Sequence, residues 1–423
     1  MALRTGARLR PRNRLIFRLL APVAILGPAL IAANAGNDAG GIATYASVGA
    51  RYGYDLLWLM VAITISLIVV QEMAARMGIV TGKGLAELIR ENYGVRWSML
   101  ATVAVLVANL GICISEFVGI GAALGLAGIP FWVSVPIAAA AIWALVVRGS
   151  YKIAERIFVL MTIPFFAYPI AAIVAHPNWG SVGHAIVVPH IQTDSRYIIL
   201  LIATAGTTIT PFMQLYLQSA VVDRGIDREH LNAERAEVVA GSIFANLVAS
   251  FIIIATGATL FVHGERTVSN AADAARALVP FAGRFAEALF AIGLLGASLL
   301  AAAILPVTAA YVIAETFGYE KGIAHRPREA PVFVGVITAL IVIGMATALV
   351  PGLPVITLLV GVQVVNGALL PITLFFVWRL SSSRELMGRY ANGRIFNLLA
   401  GATVLVTSAL SGLLLVVIFS GSL

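Results

Sequence analysis

The sequence predicts an all-α polytopic membrane protein, built as two inverted five-helix halves with an eleventh helix appended. Of its 423 residues, 60% are hydrophobic and only 11% charged, where a soluble domain carries about 25% charged residues. The apolar residues fall in runs long enough to cross a bilayer, which takes about 20 residues of helix. Two of those runs are interrupted by glycines and polar residues, at 35–41 and at 206–211. Non-helical backbone survives at membrane depth only where protein or a watery cavity satisfies it. A pair of broken helices at matching places in two halves points to a transporter's binding site.

The spans read as 15–48 (broken), 55–79, 97–125, 130–148, 153–175, 195–223 (broken), 231–263, 282–316, 331–351, 354–380 and 395–420. The first, sixth and eighth are long enough to tilt or bend. An odd number of spans per half inverts the second half relative to the first. The organisation is then a tail at 1–14, a first repeat at 15–175, an outer loop at 176–194, a second repeat at 195–380, and an inner loop with the eleventh helix at 381–423.

All but five of the 28 Lys and Arg fall on one side of this arrangement, the exceptions being Arg51, Arg196, Arg266, Arg276 and Arg284. The positive-inside rule places the N-terminus in the cytoplasm and the C-terminus outside, in a plasma or bacterial inner membrane. Basic loops facing anionic lipid heads account for the net charge of +8 without a nucleic-acid partner. The Arg-rich start and Ala32-Ala33-Asn34-Ala35 have the outline of a secretory signal. The apolar run resumes after the break, however, and cleavage would part Asp38 from the first half of its span. A single cysteine, Cys113, excludes an intrachain disulfide and a thiolate metal cluster. The apolar spans carry no dimer signal, and a monomer is expected.

Asp38 is the leading candidate. A carboxylate at bilayer depth costs several kcal/mol unless paired or hydrated, roughly 3 on insertion scales, so it marks function by default. Gly36, Gly40 and Gly41 loosen the helix around it and free backbone carbonyls, hard oxygen ligands suited to a hard cation. Asn34 and Asn37 either add side-chain oxygens or cap helix ends. At the second break, Thr207, Thr208 and Thr210 precede Pro211, which removes an intrahelical hydrogen bond. Taken alone this is either a site or a kink satisfied by hydroxyls; paired with the first break it reads as a site. The candidate metal ligands are Asp38, Thr207 and Thr210 with the backbone at Ala35 and Gly41, the metal being substrate and no resident cofactor being expected. Glu116 is a second intramembrane acid, read as structural or electrostatic rather than a proton relay. Glu72 is read as a structural interface acid, with a gate component as the alternative. Gln363 and Asn366, one turn apart, either line the cavity or bond between helices.

No Walker motif, HExxH, histidine pair or nucleophile elbow is present, which argues against ATP drive, zinc chemistry and enzyme function. No span has the regularly spaced arginines of a voltage sensor.

Several separated stretches resemble one known family. Gly27-Pro28 with Asp38-Ala39-Gly40-Gly41 is similar to the first span of the NRAMP divalent-metal transporters. So are Gly49-Ala50-Arg51-Tyr52-Gly53-Tyr54, Leu56-Leu57-Trp58, Gln71, Ala75, Gly78-Ile79, Thr81-Gly82-Lys83 and Leu85-Ala86-Glu87 to the segments that follow. Glu116-Phe117-Val118-Gly119, Leu215-Tyr216-Leu217-Gln218-Ser219 and Gln363-Val364-Val365 with Pro371 resemble spans three, six and ten. The resemblance implies a LeuT-type fold of two inverted five-helix repeats, transport of a divalent cation, and membrane lipid as the other partner.

The departures from the family pattern carry further expectations. Its first break reads Asp-Pro-Gly-Asn; here the acid stays, the proline is Ala39 and the asparagine is Gly41. Its second reads Met-Pro-His; here it is Thr210-Pro211-Phe212. A soft sulfur favours transition metals, whereas magnesium wants oxygen and keeps its waters. This looks like the NRAMP-related magnesium transporters. The family's two span-six histidines are Phe212 and Gln218 here, its span-three acid before Glu116 is Cys113, and no basic residue lies in span nine. The expectation is potential-driven uptake of hydrated Mg2+, with Mn2+, and no proton coupling. The alternatives are a proton-coupled Mn2+ or Fe2+ importer, a Na+- or H+-coupled carrier of a small organic solute, and a non-transporting sensor.

Overall fold

The computed structural model describes residues 36–148, 166–276, 286–322 and 328–419, with single positions at 279 and 283. The first half of span one, including Gly27-Pro28, Asn34 and Ala35, and span five up to residue 165 lie outside the described residues.

The described chain is helical, with no strand among the described residues. The helices are α1 Ala39–Tyr52, α2 Leu57–Thr81, α3 Leu85–Tyr93, α4 Val95–Leu126, α5 Phe131–Arg148, α6 Ala167–Val174, α7 Trp179–Val187, α8 Ser195–Thr208, α9 Pro211–Asp223, α10 Leu231–Thr256, α11 Ala286–Phe317, α12 Pro331–Ala348, α13 Val355–Ser382 and α14 Arg394–Phe419. Among the described residues nine helices are long and apolar enough to cross a membrane, α8 and α9 counting as one broken span. The protein is an integral membrane protein.

Local sequence sets the ends of the helices that matter. Asp38 caps α1, and Asp194 caps α8 by accepting from the Tyr197 amide. The α2 helix stops at Gly82, whose φ of 67° is a left-handed conformation open to glycine at no steric cost. Between α8 and α9 only Ile209 and Thr210 leave the helix, and Pro211 restarts it at the first position, where its missing N–H costs nothing. The break is narrower than the 206–211 expected from the sequence. Gly206 is helical, and its smallness serves packing instead.

Two loops also differ from expectation. The stretch between α2 and α4 contains α3, an amphipathic helix that buries Leu85, Ala86, Leu88 and Ile89. The outer loop 176–194 contains α7, capped by Asn178.

In the α8–α9 span 89% of the apolar window is buried, against 28% in α12, so the broken helix is central and α12 peripheral. Helices in lipid associate through small residues that let backbones approach. Gly206 on α8 faces the backbone of Gly367 on α13, and a Cβ at Gly206 would sit 2.7 Å from the Gly367 Cα. Gly119 on α4 lies against the side chains of Ala39 and Ser298, where a Cβ would come within 2.5 Å of each, so α4 sits close on the start of α1.

Candidate functional site

The two breaks meet at the centre of the fold. Gly36, Asn37 and Asp38 precede α1 without helical structure, and Ile209 and Thr210 separate α8 from α9. Asp38 is fully buried, as are Thr207, Thr210, Glu116, Gln363 and Asn366. The site is closed to solvent.

Asp38 accepts the Gly41 amide on Oδ1 at 2.5 Å. The Gln363 amide, reaching in from α13, donates to both Asp38 oxygens at 3.1 and 3.2 Å. Gln363 is itself held by Asn366, which donates to its carbonyl at 2.8 Å. A Cβ at Gly40 would overlap Gln363 Nε2, so a side chain there would have to displace the amide that binds Asp38. Glu116 accepts the Ala39 amide at 3.2 Å, and Ser115 donates to its other oxygen at 3.2 Å. Two carboxyl groups thus sit at the N-terminus of α1, where unpaired amides and the helix dipole favour negative charge.

Oxygens converge beside Gly41. A Cβ there would lie 2.6 Å from the Gly36 carbonyl, 2.8 Å from Thr207 Oγ1 and 3.2 Å from Asp38 Oδ1. Thr207 also donates to the Gly36 carbonyl at 3.3 Å, tying the two breaks together. Thr207, in the last turn of α8, thus brings the C-terminal end of that half-helix beside Gly36 and Gly41, the arrangement that suits a cation at a half-helix end. Thr210 Oγ1 is buried without a partner. One turn further on, the Met213 sulfur accepts from Gln71 on α2 at 3.9 Å. A group of oxygens around one carboxylate fits a hard divalent cation that retains part of its water.

The fold brings Asp38, Gly41, Thr207, Gln363, Asn366 and Glu116 together, with Thr210 at the second break. Ala35 falls outside the described residues. Asn37 points away, donating to the Ala245 carbonyl of α10 at 3.0 Å, as a tether rather than a member of the oxygen group. Thr208 is bonded to the Tyr45 hydroxyl at 2.8 Å. Tyr45 and Ser115 were not singled out by sequence reasoning. Their signal was weak, since a lone hydroxyl in a membrane helix more often bonds its own preceding turn.

At the end of the fold where Lys and Arg gather, Glu72 is buried in a clasp. Arg76 donates to it from one turn on at 3.0 Å, and Arg235 of α10 at 2.8 Å. Arg76 continues to Asn392 at 2.6 Å and to the Tyr390 carbonyl. At the opposite end Tyr52 donates to Asp194 and Gln192 to Asp55, each at 2.8 Å. Among the described residues no three His, Cys, Asp or Glu come together as a metal cluster.

The family model described as natural resistance-associated macrophage protein-like matches residues 29–417. A relative named divalent metal cation transporter MntH, from Deinococcus radiodurans, is 31% identical, with 97% of this chain and 94% of that protein covered. One of the same name from Ralstonia nicotianae is 30% identical over 90% of this chain and 88% of its own. Among solved structures, a manganese transporter of Eremococcus coleocola, bound to an aromatic bis-isothiourea compound, matches with a TM-score of 0.72 at 21% identity, covering 97% of this chain and 87% of that one. MhsT in complex with L-phenylalanine matches at 0.63 with 14% identity, covering 92% and 98%. The fold is therefore of the LeuT type, two inverted five-helix repeats and an eleventh helix.

Proposed function

Because the chain belongs to the Nramp family, we propose that it is a secondary transporter of divalent metal cations, moving Mg2+ and with it Mn2+, largely hydrated and without proton coupling. The membrane is the plasma or bacterial inner membrane, with the N-terminus inside and the C-terminus outside. The observation that carries the reading is the oxygen-only group of Asp38, Gly36 and Thr207 around Gly41. The family's methionine position is Thr210, and the nearby Met213 sulfur is engaged by Gln71. Hard oxygen ligands suit Mg2+, which dehydrates reluctantly, and in the closed arrangement seen here its waters would have to enter as the site opens. Uncoupled uptake is supported by the residues around Asp38. Its partners are Gly41 and Gln363, and the histidines among the described residues lie in loops or at helix ends. An inside-negative potential contributes about 2.3 kcal/mol per charge per 100 mV.

One observation favours a second reading, a proton-coupled Mn2+ importer: Glu116 is retained and bonds the same helix end that Asp38 caps. The test is uptake into liposomes under an inside-negative potential, with a magnesium-sensitive dye and a pH dye inside. Saturable Mg2+ uptake, lost in Asp38→Ala, is expected. Mn2+ uptake without Mg2+ uptake overturns the Mg2+ assignment. Acidification of the interior that tracks metal entry overturns the uncoupled mechanism. Uptake of neither ion moves the reading to an organic solute.

A further inference from the structure

The buried polar residues of α9 do not end at the site. Thr210, at its cap, is followed by Gln214 and Gln218 at four-residue spacing, which places them on one face. All three are fully buried. The Gln218 amide donates to the Lys83 carbonyl at 2.9 Å, and its own side-chain oxygen has no partner. The next residue, Ser219, donates to Glu315 Oε1 at 2.7 Å.

Glu315 stands in the last turn of α11, on the Lys- and Arg-rich side of the fold, with a side chain only 1% exposed. Its second oxygen, Oε2, is buried without a partner. The carboxyl lies directly against Gly84, where any side chain would collide with it. From the other side Lys321 Nζ bridges two carboxylates, Glu315 at 3.2 Å and Glu87 at 3.3 Å. Glu87 also faces Lys83 at 3.9 Å, and Lys83 is taken up by Glu91 at 2.5 Å.

We infer that Glu315 forms the core of a second divalent-cation site, a release station on the Lys- and Arg-rich side of the Asp38 site, completed by Ser219 and Glu87 and guarded by the Lys321 ammonium. This rests on the reading of the protein as a divalent-cation carrier. An ammonium between two carboxylates occupies the place a divalent ion would take, and the exchange neutralises both acids instead of one. Magnesium-type ions bind through one or two carboxylates while keeping several waters. Lysine carries its charge on a flexible four-carbon stem and can swing toward solvent. Release demands a site favourable enough to enter and weak enough to leave. Lys321 supplies the weakness, because its return expels the ion.

A purely structural ion pair, holding the loop after α11, predicts different behaviour. The test counts Mn2+ bound to the purified full-length protein by electron paramagnetic resonance. The Asp38→Ala variant is expected to keep one weaker class of bound Mn2+. Adding Glu315→Gln, which preserves volume and a partner for Ser219, is expected to abolish it. Adding Lys321→Gln to Asp38→Ala is expected to tighten it roughly tenfold, as a competing positive charge is removed. That gain cannot come from a misfolded protein. Loss of all bound Mn2+ in Asp38→Ala overturns the second site and leaves the carrier reading standing, as does binding untouched by Glu315→Gln. Wild-type protein that binds no Mn2+ overturns both.

Discussion

Asp38 and Glu116 bond the same helix end, Asp38 from the cap of α1 and Glu116 from α4: Asp38 takes the Gly41 amide and Glu116 the Ala39 amide. Each satisfies one of the donors that the start of α1 leaves open. Glu116→Gln preserves an acceptor for the Ala39 amide and is expected to keep Mg2+ uptake within about threefold of wild type, since a neutral cap retains most of the hydrogen bond. Glu116→Ala strands that amide and is expected to lower both uptake and thermal stability. Loss of uptake in Glu116→Gln would assign the residue a charge or proton role instead.

The role of the Asp38 charge separates from that of its cap. Asparagine caps a helix about as well as aspartate, so Asp38→Asn is expected to fold with an unchanged melting temperature. It removes the charge of the proposed ligand, and metal uptake in liposomes is expected to fall by about a hundredfold or more.

The proposed Mg2+ preference turns on position 210. Thr210→Met places a soft sulfur beside the oxygen group and is expected to raise the uptake ratio of Mn2+ to Mg2+ roughly tenfold. An unchanged ratio in a competition assay would remove the ligand-softness account.

The pocket beside Gly41 has no space for a side chain. Gly41→Asn is expected to destabilise the protein by about 1–3 kcal/mol through overpacking, read as a lowered melting temperature. Restoring the family's asparagine is expected to give no gain in metal affinity.

The Glu72 clasp predicts a stability effect rather than a change in selectivity. Glu72→Ala leaves Arg76 buried without its carboxylate, a loss of about 3–5 kcal/mol for a broken buried pair. The Glu72→Ala/Arg76→Ala double variant is expected to recover part of that loss in thermal melts.

Much of this was legible from the sequence because the membrane makes intramembrane polarity expensive. Asp38, Glu116, Thr207 and Gln363 stood out as polar residues in apolar runs, and the fold gathers all four. Hydropathy could not tell a helix breaker from a contact residue, so Gly206 was read as part of the second break although it is a packing point within α8. It could not assign Asn37, whose partner is a carbonyl 208 positions away. Amphipathic α3 and the capped α7 were hidden because short polar stretches between spans read as loops. Glu315 was missed because an acid near a span end has an ordinary explanation at the interface, and only the fold brings Ser219, Gly84 and Lys321 around it.

The contact of Gly206 with Gly367 has a mechanical consequence. Most helix pairs interlock through side-chain ridges, and turning one against the other means lifting ridges out of grooves. Here two bare backbones touch at Gly206 and Gly367, with Ile202 of α8 packed beside them. The pair can act as a pivot, with α8 and α9 tipping about a point level with the site.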